Sequence, residues 1–393
     1  MAKCRRETRK SMRTWPRFLP GQQLQSEDEK HRPQCNSFFR DMRKQIRRAA
    51  LHLLRNTGVF RLLRESEWRR QRLLILCYHG ISLEDEHQWR PGLYMEPKTL
   101  EQRLRILRTG DYNVLPLGEA LQRLYAKELP RRSVSITFDD GTYDFYKQAY
   151  PIVKRYGLPV TVYQTTYYSD RRLPVFNLIC SYLLWKRRGV VFSNGRELGL
   201  NSTMDLRTED SRQAIVTALI NLSATQNLSG LEKNEVACRL AGLLDIDYAR
   251  LLQKRILQVM GAPEIAELSR DGVDFQLHTH RHRMPKDKSL FQKEIEDNRA
   301  CLRGVSQKEA VHFCYPSGFY CQQFLPWLKA EGVISATTCD TGLATYRSDA
   351  LLLPRFIDTT GGSGLDFESW LTGVGDLLAV RRRARRKAFP VID

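Results

Sequence analysis

A chain of 393 residues with 42% hydrophobic and 10% aromatic content can bury a full core, which excludes a disordered, collagen-like or short disulfide-stapled protein. The net charge is +19, but residues 1–72 hold 20 Lys/Arg against 7 Asp/Glu and residues 380–393 hold 6 against 1, so the stretch between is close to neutral. Basic flanks on a neutral body argue against a nucleic-acid enzyme, which is basic around its groove, and suit ends that are solvated or held near an anionic membrane.

Residues 1–41 are polar, basic and unpatterned, with Pro16, Pro20 and Pro33, and are expected to be a disordered extension. Residues 42–72 follow as an amphipathic basic helix and linker. Over 43–56, Ile46, Ala50, Leu53 and Leu54 fall on one helical face flanked by Arg43, Lys44, Arg47 and Arg48, and Thr57-Gly58 ends the run. Such a helix either lies on a membrane surface or packs on the body.

From residue 73 the pattern alternates. Apolar strands are predicted at 73–78, 133–138, 159–165, 275–280, 311–316, 333–338 and 351–356, with an extended piece at 112–117. Helices are predicted at 98–110, 117–129, 144–157 (with Pro151 as a kink), 287–304 and 323–331. This rhythm means an α/β fold, a parallel sheet covered by helices and either closed into a barrel or doubly wound. Charged residues cluster where the strands end, which is where a β/α barrel carries its active site. Between about 168 and 262 the rhythm breaks into helical patterns such as 211–223 and 247–260, read as a helical insertion that caps one side of a body spanning 73–379. Residues 380–393 form a basic tail.

Nine cysteines, an odd number without C-x-x-C spacing, read as reduced thiols in a reducing compartment. No stretch reaches about 18 apolar residues, and the basic N-terminus lacks an apolar signal core. The expected location is the cytoplasm or the inner membrane face.

Two constellations carry chemistry. Thr137-Phe138-Asp139-Asp140-Gly141 ends a predicted strand. Adjacent side chains on a strand point in opposite directions, so one carboxylate can bind a cation while the other stays free as a base. His278-Thr279-His280-Arg281-His282 places three of the chain's eight histidines at another strand end. Two imidazoles with one carboxylate make a ligand set for zinc or a similar first-row metal with open positions.

The T-F-D-D-G and H-T-x-x-H motifs, in this order, resemble the polysaccharide deacetylase family, carbohydrate esterase family 4 with its NodB-like homology domain. The resemblance covers residues 73–165 and 262–358, and includes LLILCYHGIS (73–82), HFCYPSGFY (312–320) and LLLPRFIDT (351–359). It implies a distorted β/α barrel and metal-dependent removal of N-acetyl groups from acetamido sugars of a polysaccharide or its precursor. It also implies Asp139 as the base, a zinc or other first-row divalent metal on Asp140, His278 and His282, and Ser317 as the oxyanion donor.

The chain departs from the family at two points. The arginine of the third motif is replaced by Cys314, so that its contact with the base is either absent or supplied elsewhere, with Arg355 the candidate and a plain surface arginine the alternative. The Leu-x-His that supplies the acid is missing after residue 320; the resemblance to the poly-N-acetylglucosamine subgroup, in which a His at the end of the opening strand plays a similar part, implies His79 instead, with His280 and His312 as weaker candidates. The rival readings are an O-acetyl esterase using the same chemistry and an inactive sugar-binding relative. The expected partners are an acetylated glycan and an anionic membrane surface, with no nucleic acid.

Overall fold

The computed structural model describes residues 32–200 and 203–379. The chain divides into two units, residues 1–50 and 51–393. The described part of the first unit lies in the helix Arg32–Asn56, which continues into the second. This helix starts ten residues before the expected boundary at 42. The expectation for residues 1–31 and for the tail from 380 lies outside the described residues. A helix nucleated by an amphipathic segment extends cheaply into neighbouring polar residues, and that extension leaves no apolar period to read.

Seven strands build the second unit: β1 Arg72–Tyr78, β2 Ser133–Phe138, β3 Thr161–Gln164, β4 Asp274–Leu277, β5 His312–Cys314, β6 Ser335–Thr341 and β7 Leu353–Ile357. Each is hydrogen-bonded in parallel to the next. β7 also pairs with β1, with Leu76 opposite Phe356 and Cys77 opposite Ile357, and this closes the barrel. The doubly wound alternative is thereby excluded. β1 and β2 are buried along nearly their whole length, as parallel strands covered on both faces must be, which is why they read as unbroken apolar runs.

Helices cover the outside. Pro97–Thr109 and Leu117–Ala126 lie between β1 and β2, Lys288–Arg303 between β4 and β5, and Phe324–Ala330 between β5 and β6. The helix after β2 begins as a π-turn, Phe145–Ala149, and continues as Tyr150–Tyr156. Pro151 has no N–H to give to the preceding turn, and the π-turn absorbs that loss without breaking the helix.

The insertion between β3 and β4 has its own apolar cluster, in which Tyr182, Leu183, Leu240 and Ala241 are buried. It also contains a two-stranded antiparallel pair, Val191–Phe192 with Met204–Asp205. The predicted helix 247–260 is observed only as Tyr248–Gln253. Arg255 and Leu257 take left-handed φ values of 57°, which no α-helix accommodates.

The end of the first helix packs on the barrel. Leu51 is buried with Phe60, Leu365 and Val374, and Leu54 packs against them, while Leu53 points outward. Leu54 is therefore spent on protein contacts rather than available to a lipid surface. Among the described residues no helix is long and apolar enough to cross a membrane.

Arg69, just ahead of β1, is fully buried and has carbonyl partners on three segments. Its Nε donates to Leu371 O (2.9 Å), Nη1 to Arg72 O (2.6 Å) and Nη2 to Ser133 O (3.2 Å). Removing it leaves three carbonyls without this donor, two of them, Leu371 O and Ser133 O, in buried hydrogen bonds. Arg69→Leu is expected to lower stability by about 3 kcal/mol in urea unfolding. A loss within ordinary surface-mutation scatter would show that the guanidinium does not tie these segments together.

Candidate metal and catalytic site

The site forms where strand ends meet. Asp139 lies one residue past β2, and its N–H donates to Tyr78 O at the end of β1 (2.9 Å). Asp140 follows with a left-handed φ of 71°, which turns its side chain away from that of Asp139. Gly141 completes the turn at φ 67°, and a Cβ there would meet the Gln164 side chain at 2.0 Å. Only glycine fits this position.

His278 and His282 occupy the loop after β4. The His278 N–H donates to Asn298 Oδ1 (2.9 Å), and its Nδ1 lies 2.8 Å from Cys314 O. A carbonyl only accepts, so Nδ1 carries the proton and Nε2 is left to face Asp140 Oδ1 at 3.2 Å. His282 Nε2 lies 3.3 Å from the same oxygen, and one donor atom from each of the three residues falls within a 4.8 Å cluster. Left-handed φ recurs at Thr279 (60°) and His282 (55°). Non-glycine residues held there store strain, which concentrates at functional sites.

Asp139 is 3% exposed and is gripped by Arg355 from β7. Nη1 donates to Oδ1 at 2.7 Å and Nη2 to Oδ2 at 2.8 Å. Arg355 is itself fully buried and also donates to Thr338 O and Thr137 Oγ1. Burial alone would raise the Asp139 carboxyl, but the guanidinium overrides it and holds the group well below the usual carboxylate range. Burial likewise opposes ionisation of Asp140, and its hydrogen bonds with His278 and His282 reverse that. His79 Nε2 stands 3.7 Å from Asp139 Oδ2.

Six of the sequence-predicted residues thus meet: His79, Asp139, Asp140, His278, His282 and Arg355. Ser317 lies three residues beyond Cys314, in the short turn Pro316–Gly318, with a left-handed φ of 55°. The two weaker acid candidates lie elsewhere. His280 Nδ1 is engaged by Thr166 Oγ1 (2.8 Å), and His312 opens β5 at the far end of the strand from Cys314, bonded to Ser335.

Several contributors were missed. Cys77 Sγ and Cys314 Sγ lie 3.5 and 3.4 Å from Asp139 Oδ2. Asn298 also donates to Gln164 O and Thr166 Oγ1 (both 3.0 Å), bridging the ends of β3 and β4. Asp144 accepts from Ile81 N (3.0 Å) and Thr142 Oγ1 (2.9 Å), which joins the segment after His79 to the Asp-Asp-Gly turn. Burial pushes its carboxyl up to about 8. The one signal in the sequence was the Cys77–His79 spacing, since residues two apart on a strand share a face.

Comparison with known proteins follows this geometry. The family model described as polysaccharide deacetylase matches residues 126–214 and 246–334. The chain is 36% identical over 93 residues to the polysaccharide deacetylase relative YxkH of Bacillus subtilis, covering 23% of this chain and 31% of that protein. It is 39% identical over 61 residues to a poly-beta-1,6-N-acetyl-D-glucosamine N-deacetylase of Staphylococcus aureus, covering 16% and 21%. The chain thus spans a third or less of the length of these curated relatives. Among solved structures, the Streptococcus pyogenes deacetylase PplD in complex with acetate aligns at TM-score 0.49 and 19% identity, over 74% of this chain and 94% of that one. IcaB from Ammonifex degensii aligns at 0.46 and 16%, over 77% and 97%. The two matched stretches, a little under half of the chain, carry the Asp-Asp-Gly turn and the histidine loop and are similar to the polysaccharide deacetylase family.

Proposed function

We propose that the chain hydrolyses the N-acetyl group of an acetamido sugar in a polysaccharide or its precursor, with a divalent first-row metal, zinc foremost, on Asp140, His278 and His282. The observation that carries this reading is the convergence of those three donors beside a second carboxylate held bidentately by Arg355. The donor set fits such an ion, with one carboxylate oxygen and two imidazole nitrogens, one of them fixed in the ligating tautomer by Cys314 O. The name of the Staphylococcus aureus relative supports the substrate class.

Bound there, the metal would polarise the acetyl carbonyl and acidify the attacking water. Asp139 is the base that takes the proton from that water, and Arg355 keeps it ionised and aimed. The Ser317 N–H is assigned to the developing oxyanion. His79 is assigned to protonate the leaving nitrogen, which departs poorly as an anion. Removal of O-acetyl groups is the second reading. It is favoured by the absence of the Leu-x-His motif, because an alcohol leaves with less help from an acid.

His278→Ala is expected to lose both metal retention and acetate release, whereas Asp139→Asn should retain metal and lose turnover by ~10²–10⁴-fold. Full metal occupancy in the first variant, or loss of metal in the second, would overturn the division of roles between the two aspartates.

His79→Ala should impair amide substrates far more than activated esters, whose leaving group needs no proton. Equal losses on both would remove His79 from the acid role, and a native substrate that proves to be an ester would favour the second reading.

The Arg355 contact makes a pH prediction. A depressed carboxyl stays ionised well below the ordinary carboxylate range, so base activity is lost only as pH falls through that lowered value. Arg355→Met removes the depression and should move the acidic limb of kcat/KM upward by ~1 pH unit or more. An unmoved limb would mean that another group is the base.

A further inference from the structure

We propose that Cys77 Sγ, His79 and Asp139 Oδ2 form a second, sulfur-containing cation site beside the first donor set, one that takes a thiophilic divalent ion such as zinc and blocks the enzyme when filled. The strand register creates it. Cys77 and His79 are two residues apart along the line of β1 and share a face, and Cys77 sits opposite Thr137 of β2, two residues before Asp139. Cys77 Sγ is 3.5 Å and His79 Nε2 is 3.7 Å from Asp139 Oδ2, and the three residues bring donor atoms within 4.8 Å of one another. Tetrahedral zinc with ordinary Zn–S, Zn–N and Zn–O lengths places its donors roughly 3.3–3.5 Å apart. Two of the three separations are thus close to ligating values, and the third, between Cys77 Sγ and the His79 ring, lies within 4.8 Å, with Nδ1 at 3.9 Å.

Coordination releases the Cys77 thiol proton to solvent, and the thiolate and carboxylate then balance the two charges of the ion. The site is weaker than the first. The Arg355 guanidinium lies 2.8 Å from the same carboxylate oxygen, and a cation on Asp140 is a close neighbour. It therefore fills second. A further cluster of Asp139, His278 and Cys314 does not compete on equal terms, because His278 already belongs to the first set and Cys314 Sγ is engaged by Arg355 Nη2 at 3.2 Å. An ion on Asp139 Oδ2 removes the lone pair that takes the proton from water. The inhibitory consequence rests on the proposed function, whereas the binding itself does not.

The test uses cobalt(II), titrated into the metal-free full-length chain. The Asp140–His278–His282 set contains no sulfur and gives only weak visible bands, whereas thiolate ligation gives an intense near-ultraviolet charge-transfer band. The expected result is a thiolate band that grows only after the first equivalent, is lost in Cys77→Ser and in Cys77→Ala, and survives in Cys314→Ser. Circular dichroism of each variant checks that the barrel is folded. Acetate release should fall in excess zinc in the parent, and that fall should shift to higher zinc in the Cys77 variants.

No thiolate band through excess cobalt would overturn the proposal. So would a band that persists in folded Cys77 variants, because it would then belong to exposed thiols such as Cys238 or Cys301. Failure of the proposed function has a different signature, a first equivalent that still binds in His278→Ala.

Discussion

The buried pair of Asp139 and Arg355 is the constraint around which the barrel mouth is organised. Both side chains are withdrawn from water, and neither would be tolerated there alone. Replacing a buried ion pair by apolar residues is often neutral or stabilising, so stability alone does not account for this one. What the pair does is fix direction. Two charge-assisted hydrogen bonds leave the carboxylate little freedom, and the left-handed backbone of Asp140 itself turns its carboxylate toward the histidines. The contact exists only because the last strand of the barrel closes onto the first, which brings Arg355 beside β2.

Much of this was legible from residue order. Strands buried on both faces announce themselves as apolar runs, and the paired carboxylates and clustered histidines sit at their ends. The contents of the site that come from closure were less legible. Arg355 sits in a stretch that reads as one more apolar strand, and only the missing arginine of the third motif pointed to it as the partner of Asp139. Cys77 becomes a neighbour of Asp139 only through the register of β1 on β2. Asn298 arrives from a helix twenty residues beyond His278 and looks like an ordinary polar position until its three hydrogen bonds are seen. Local backbone also overrode pattern, as where left-handed Arg255 and Leu257 cut short a run with helical spacing.

The insertion is connected to the chemistry by what it grips. Trp89 and Tyr94, from the segment after His79, join its apolar cluster. Lys254 pairs with Glu84, and Lys186 and Tyr182 both hold Asp85. On its other side Tyr143 N donates to Gln258 O and Met260 N to Gly141 O (2.8 and 2.9 Å). The insertion thus clamps the segment that follows His79 and the turn that carries the two aspartates. Their spacing is set by packing as well as by strand register.

The order in which the groups leave the ribosome adds a temporal dimension. Asp139 and Asp140 emerge first, the two histidines more than a hundred residues later, and Arg355 later still, on the strand that closes the barrel. A nascent chain that has exposed residue 282 already holds every member of the first donor set, yet the carboxylate beside it has no guanidinium partner. Domains generally fold as units, and here closure of the barrel is also what brings the guanidinium to Asp139. Fragments that stop short of β7 would hold the Asp140, His278 and His282 donors without the guanidinium that orients Asp139.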